Sequence, residues 1–118
     1  MMTSALDGIE LHDAVIEGLN IDFSAASVTM LIAYYASPDG RQRVRAKVIF
    51  EKVESISQIT DFVRLRENAS AGNINYWRPG DTGNATYIYL VDGCIAVTAG
   101  IVRLDAAEPA PSYIKIGP

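Results

Sequence analysis

The stretch YIYLVDGCIAVTAGIVRL, residues 87–104, decides how the chain is read. Two apolar runs flank Asp92-Gly93, and Asp-Gly supplies the positive φ angles that a tight two-residue hairpin turn needs. Ile88 and Leu90 alternate with Tyr87, Tyr89 and Val91; Ile95, Val97, Ala99 and Ile101 alternate with Cys94, Ala96, Thr98 and Val102. Both faces are apolar. A strand that is apolar on both sides belongs inside a sheet with material packed above and below it. The spacing therefore predicts a mainly β fold, at most α+β: an antiparallel β-sandwich or flattened barrel with this hairpin at its centre.

Outward from the hairpin the same period recurs. Residues 15–23, VIEGLNIDF, set Val15, Leu19, Ile21 and Phe23 on one side of a half-buried strand. After a small-residue break at residues 24–27, VTMLIAYY places Val28, Met30, Ile32 and Tyr34 on one face of a second strand. Ser37-Pro38-Asp39-Gly40 is a turn signal, since proline presets its own φ and glycine accepts a left-handed one. A third strand follows, with Val44, Ala46, Val48 and Phe50 inward and Arg43, Arg45 and Lys47 outward. Beyond Val53 the apolar spacing changes to three and four, and Ser55 with Gln58 resembles a capping box, so a short helix is expected near residues 56–66. Residues 68–72 read as a loop, 73–77 as a short strand and 78–84 as a turn. The frame is completed by a frayed end at residues 1–10 and an extended Ala/Pro-rich tail at residues 105–118, giving five to seven strands in sequential hairpins.

A chain of 118 residues is expected to form one domain that needs no metal or disulfide staple. Its formal net charge of −4 argues against a nucleic-acid binder. No apolar run reaches the ~20 residues of a spanning helix and the N-terminus does not read as a signal peptide, so a cytoplasmic location away from the membrane is expected. Cys94, the lone cysteine, can form no internal disulfide. One His and one Cys without paired spacing predict no metal site, and no cofactor is expected: GxGxxG, the P-loop lysine and GxSxG are all missing from the sequence.

Four places could carry chemistry. His12 stands beside Asp13, a pairing suited to a general base, but neighbours in an extended chain point apart, and a turn-stabilising role competes. Cys94 has only His12 as a conceivable base, and reads as a small buried hydrophobe. Arg41, Arg43, Arg45 and Lys47 make a basic strip after a first forty residues without Lys or Arg; it suits an acidic partner, or a solvated face that discourages edge pairing. The segment AGNINYWRPGDTG, residues 71–83, gathers Asn73, Asn75, Tyr76, Trp77, Arg78 and Asp81. That mixture of aromatic anchors and adaptable polar groups suits a binding loop, while Trp77 as a core plug and the asparagines as turn supports suit it equally.

The opening Leu11-His12-Asp13-Ala14-x-Ile16, followed by Phe50 and Val53, resembles small uncharacterised bacterial β-rich domains, some classed as immunity proteins. The resemblance implies a compact β-rich fold and a protein-binding role, without catalytic residues. The leading expectation is a non-catalytic domain that binds a protein partner, as an immunity-like inhibitor or a homo-oligomeric subunit, through the Trp77 loop and a strand edge. Residues 113–116 are the place expected for self-contact. The alternative is a small-molecule or hydrolase-like pocket between the sheets using His12, Asp13, Tyr76 or Arg78.

Overall fold

The computed structural model describes residues 9–36, 42–80 and 83–109. Six antiparallel strands and one short helix follow in the order β1 (Val15–Asp22), β2 (Ser27–Tyr34), β3 (Val44–Ile59), α1 (Phe62–Glu67), β4 (Ile74–Arg78), β5 (Ala85–Leu90) and β6 (Gly93–Pro109). All six belong to one sheet, ordered β1-β2-β3-β6-β5-β4. The fold is mainly antiparallel β, as the alternation predicts. Among the described residues no helix is long and apolar enough to cross a membrane.

The middle of the sheet is the β3–β6 ladder. Its two long strands each serve both halves: residues 44–50 of β3 pair with β2, while residues 93–98 of β6 pair with β5. One buried cluster joins Val28, Met30, Ile32, Val48 and Phe50 from the first half with Ile74, Trp77, Ile88, Ile95 and Val97 from the second. The sheet therefore curls around a single core as a flattened barrel. Its ends meet where the lead-in to β1 reaches β4: Asp13 N–H donates to Ile74 O at 2.9 Å, and the amides of Asn73 and Ile74 both donate to Ala14 O at 3.0 Å.

The corner in β3 is a bulge. Lys52 has φ +56°, and between Val53 and Ser55 one extra residue breaks the pairing with Ala99 and Thr98. Bulges bend strands and let one strand pass from one packed layer to the next. The short helix expected near residues 56–66 is present, but it starts later than the apolar spacing implies. The bulge moves the inward positions from Phe50 to Val53 to Ile56, and the chain stays extended to Ile59, so the first residues of the expected helix are strand. The helix starts only at Phe62, and its N-cap is Asp61 rather than Ser55: the carboxylate accepts from the amides of Val63 and Arg64, both at 3.1 Å.

Other expectations shift by small amounts with clear causes. Met30, Ile32, Tyr34, Ala46, Val48 and Phe50 are buried as their alternation requires. Phe23, placed inward by the same rule, lies past the end of β1 in the turn at residues 23–26 and is 89% exposed. The β5–β6 turn consists of Val91 and Asp92, because Leu90 pairs with Gly93, and none of these turn residues has positive φ. Gly93 is needed for another reason: a Cβ there would strike the Ile59 carbonyl across the ladder. The hairpin is buried on one face only, through Ile88, Leu90, Ile95, Val97 and Ala99; the other carries half-exposed tyrosines. Strand β6 also runs on through residues 105–109, with Asp105 opposite Lys47 and Pro109 opposite Val44, where a tail was expected. Ile9 already packs on the core, inside the end expected to fray. The turn at residues 37–40 and the segment 113–116 lie outside the described residues.

Candidate functional site

The sequence-selected residues divide into three groups. Asn73, almost wholly buried, is a structural node. Its Oδ1 accepts from Ile16 N–H at 2.9 Å, its Nδ2 donates to Leu65 O at 3.1 Å, and its own carbonyl accepts from Val91 N–H at 3.1 Å. One side chain thus links β1 to α1. Trp77 is 5% exposed and its Nε1 donates to Ile9 O at 3.1 Å, which makes it the plug of one end of the core.

The second group surrounds the lead-in turn. His12 and Asp13, expected to point apart, converge, with His12 Nε2 3.5 Å from Asp13 Oδ2. The reason is local: the two residues form a turn, and Asp13 sits at φ +66° instead of in extended chain. The other ring nitrogen of His12, Nδ1, donates to Asn75 O at 2.8 Å. Asn75 Nδ2 donates in turn to Leu90 O at 3.4 Å. Arg43, read from the sequence as an outward strip residue, folds onto this turn. Its Nε and Nη2 donate to Asp13 O at 3.2 and 3.1 Å, Nη2 also reaches Ser70 O at 3.1 Å, and the guanidinium carbon stands 5.0 Å from the Tyr35 ring centroid. Arg45 alone of the pair stays on the strip, 3.5 Å from Glu17. These contacts hold the lead-in against β4: His12 Nδ1, the Arg43 guanidinium and Asn75 Nδ2 each bond a backbone carbonyl, while the exposed Asp13 carboxylate meets, among the described residues, only His12 Nε2.

The third group is a tyrosine row on the outer face of β4 and β5. Tyr76 stacks on Tyr89 with ring centroids 4.7 Å apart, Tyr89 on Tyr87 at 6.1 Å, and Arg78 caps Tyr87 at 5.9 Å. The stacking staples edge strand β4 to β5, while Tyr76 and Tyr87 stay exposed. A double-mutant cycle of Tyr76→Ala and Tyr89→Ala is expected to give a coupling of about 1 kcal/mol, within the range of aromatic pairs. Additive effects in urea unfolding would show that the stack contributes nothing. Asp81 lies outside the described residues.

None of these residues except Asn73 and Arg45 lines a groove of about 860 Å³ between β1 and α1. Val15, Ile16, Leu19 and Ile21 form one wall, Phe62, Leu65 and Ala69 the other, and Ile95 the floor. Asn73 closes the end at Ile16, and Ile21 is shared with a smaller hollow that continues to Phe23 and Ile56. Along this trough large side chains remain uncovered: Phe62 is 75% and Ile21 38% exposed. At the smaller hollow, Asp22 accepts from the Ala25 amide and the Ser24 hydroxyl, which hold its carboxyl below the ordinary carboxylate range. Arg64 anchors α1 to the β5–β6 turn through Asp92 at 2.6 Å, and that carboxylate, with Glu67 behind it, raises the guanidinium pKa further.

Comparison with known proteins adds no relative. No family model, curated protein or solved structure matches the chain significantly.

The groove was not singled out from the sequence. Its walls come from β1 and from residues 58–73, which only the folding of β3 over the first layer brings together. One local signal was present: Thr60-Asp61 followed by FVRLRE is an N-cap ahead of a helix whose first residues, Phe62 and Val63, have no partner in sequence. Among the described residues no cluster of three or more His, Cys, Asp or Glu side chains is arranged to hold a metal ion.

Proposed function

We propose that the chain is a non-catalytic polypeptide-binding domain whose recognition surface is the groove between β1 and α1. The observation that carries this reading is the trough of about 860 Å³ beside an edge strand, with Phe62 and Ile21 left uncovered along it. Contiguous exposed apolar surface on a folded domain marks interaction sites. The groove's charged residues are Glu17, Arg45 and Arg66, and Glu17 and Arg45 face each other, a set suited to docking rather than to proton transfer. His12, Asp13, Tyr76 and Arg78, on which a hydrolase-like pocket would depend, line neither hollow.

Of the finer forms, an inhibitor-like module that engages another protein is favoured over a homo-oligomeric subunit. The trough is lined on both sides, by β1 and α1, which suits a single inserted segment. A cytoplasmic setting accords with the free thiol of Cys94. Peptides selected on the folded chain from a random display library test the reading. Phe62→Asp is expected to leave the thermal midpoint nearly unchanged, since substitutions at exposed sites stay within about 0.5 kcal/mol, and to weaken peptide binding at least about tenfold. Undiminished binding by this variant would put the recognition surface elsewhere.

A further inference from the structure

Resting on that groove reading, we propose that the partner enters as an added β-strand, an extended segment that hydrogen-bonds the open edge of β1 and sets a carboxylate against Arg66. β1 is the first strand of the sheet, so its outer side has no neighbour in the ladder. At Ile16 that side is capped by Asn73 Oδ1. Among the described residues, no backbone group of another segment hydrogen-bonds residues 18–22 on that side. Natural edges are blunted by lysine, proline, bulges or a covering element. β1 has neither lysine nor proline, and its bulge, between Ile16 and Gly18, lies near the start of the strand. The remaining residues 18–22 pair regularly with β2 and would guide about 16 Å of an added strand at roughly 3.3 Å per residue.

The walls specify the occupant's chemistry. Alternate side chains of such a strand would turn toward Leu19, Leu65 and Ile95, so every second residue should be apolar. Of the two groove cations, Arg45 already lies 3.5 Å from Glu17. Arg66, on the opposite wall in the last turn of α1, has no carboxylate partner among the described residues. In a chain of net charge −4 it is a local cation facing an apolar trough, and an arginine there favours an acidic side chain or a C-terminal carboxylate. An Asp- or Glu-bearing extended segment meets both requirements.

The test uses the full chain and a displayed library of random 12-residue peptides. Selected peptides should alternate apolar residues and carry an Asp or Glu. Their affinity should fall at least tenfold on Arg66→Glu, with selection on that variant turning instead to Lys or Arg, and bound peptide should slow amide exchange at residues 18–22. Three results would overturn the inference. Peptides that Phe62→Asp abolishes but that ignore the charge at residue 66, or leave residues 18–22 unprotected, would remove strand addition while keeping the groove. A library yielding no peptide sensitive to Phe62→Asp would remove both. A concentration-dependent dimer that protects residues 18–22 without peptide would assign the edge to a second copy.

Discussion

Gly72→Ala is expected to lower stability by about 3 kcal/mol, a fall in thermal midpoint of roughly 12 °C for a chain of this size. Two effects add at this position. Gly72 has φ +113°, a backbone region that residues with a side chain rarely adopt. A Cβ would also run into the Asp13 backbone, which passes directly against it. The lead-in would then have to withdraw, and with it the hydrogen bonds by which Asp13, Ala14, Asn73 and Ile74 join the two ends of the sheet. Gly83→Ala separates the causes, because φ is +81° there but nothing lies within 4 Å of the added carbon. That variant should lose only about 1 kcal/mol, the lower end of the cost of backbone strain. Equal losses at the two glycines, measured by thermal circular dichroism, would mean that the close passage of Asp13 has no energetic weight.

Trp77→Ala should cost about 3–5 kcal/mol, the range for emptying a large aromatic site in a packed interior. The indole is buried among the core side chains, and its N–H satisfies the Ile9 carbonyl. Trp77→Phe keeps most of the volume and loses that donor, so about 1 kcal/mol is expected. Neither change should alter peptide binding under conditions where the variant is folded, since Trp77 does not line the groove. Retained stability with lost binding would identify Trp77 as a contact residue instead.

What the sequence made legible depended on whether local geometry stayed regular. In β2 and the first half of β3 each apolar residue has an opposite number, as with Met30 facing Val48 and Ile32 facing Ala46, and alternation reads the buried face directly. At Lys52 one left-handed residue and one unpaired residue change the phase, and the same reasoning starts the helix at Ile56 when the chain stays in β3 to Ile59 and turns helical only at Phe62. Asp92-Gly93 misled in a similar way: the glycine is present because Ile59 passes close to it, a fact held by a distant strand. Within residues 71–83, Asn73 and Trp77 turn inward to hold the fold, the packing alternative that the segment's composition leaves open. The groove's contributors, Ile21 on β1 and Phe62 and Arg66 on α1, meet only through the tertiary fold, so no pattern along the chain could join them.

The central claim, that β1 offers an open edge inside an apolar trough, is tested most directly by hydrogen exchange on the free, monomeric chain. Outward-facing amides within residues 18–22 should exchange orders of magnitude faster than those of the β3–β6 ladder at the middle of the sheet. Protection at residues 18–22 equal to that of the central ladder would contradict the account, because the edge would then already be covered.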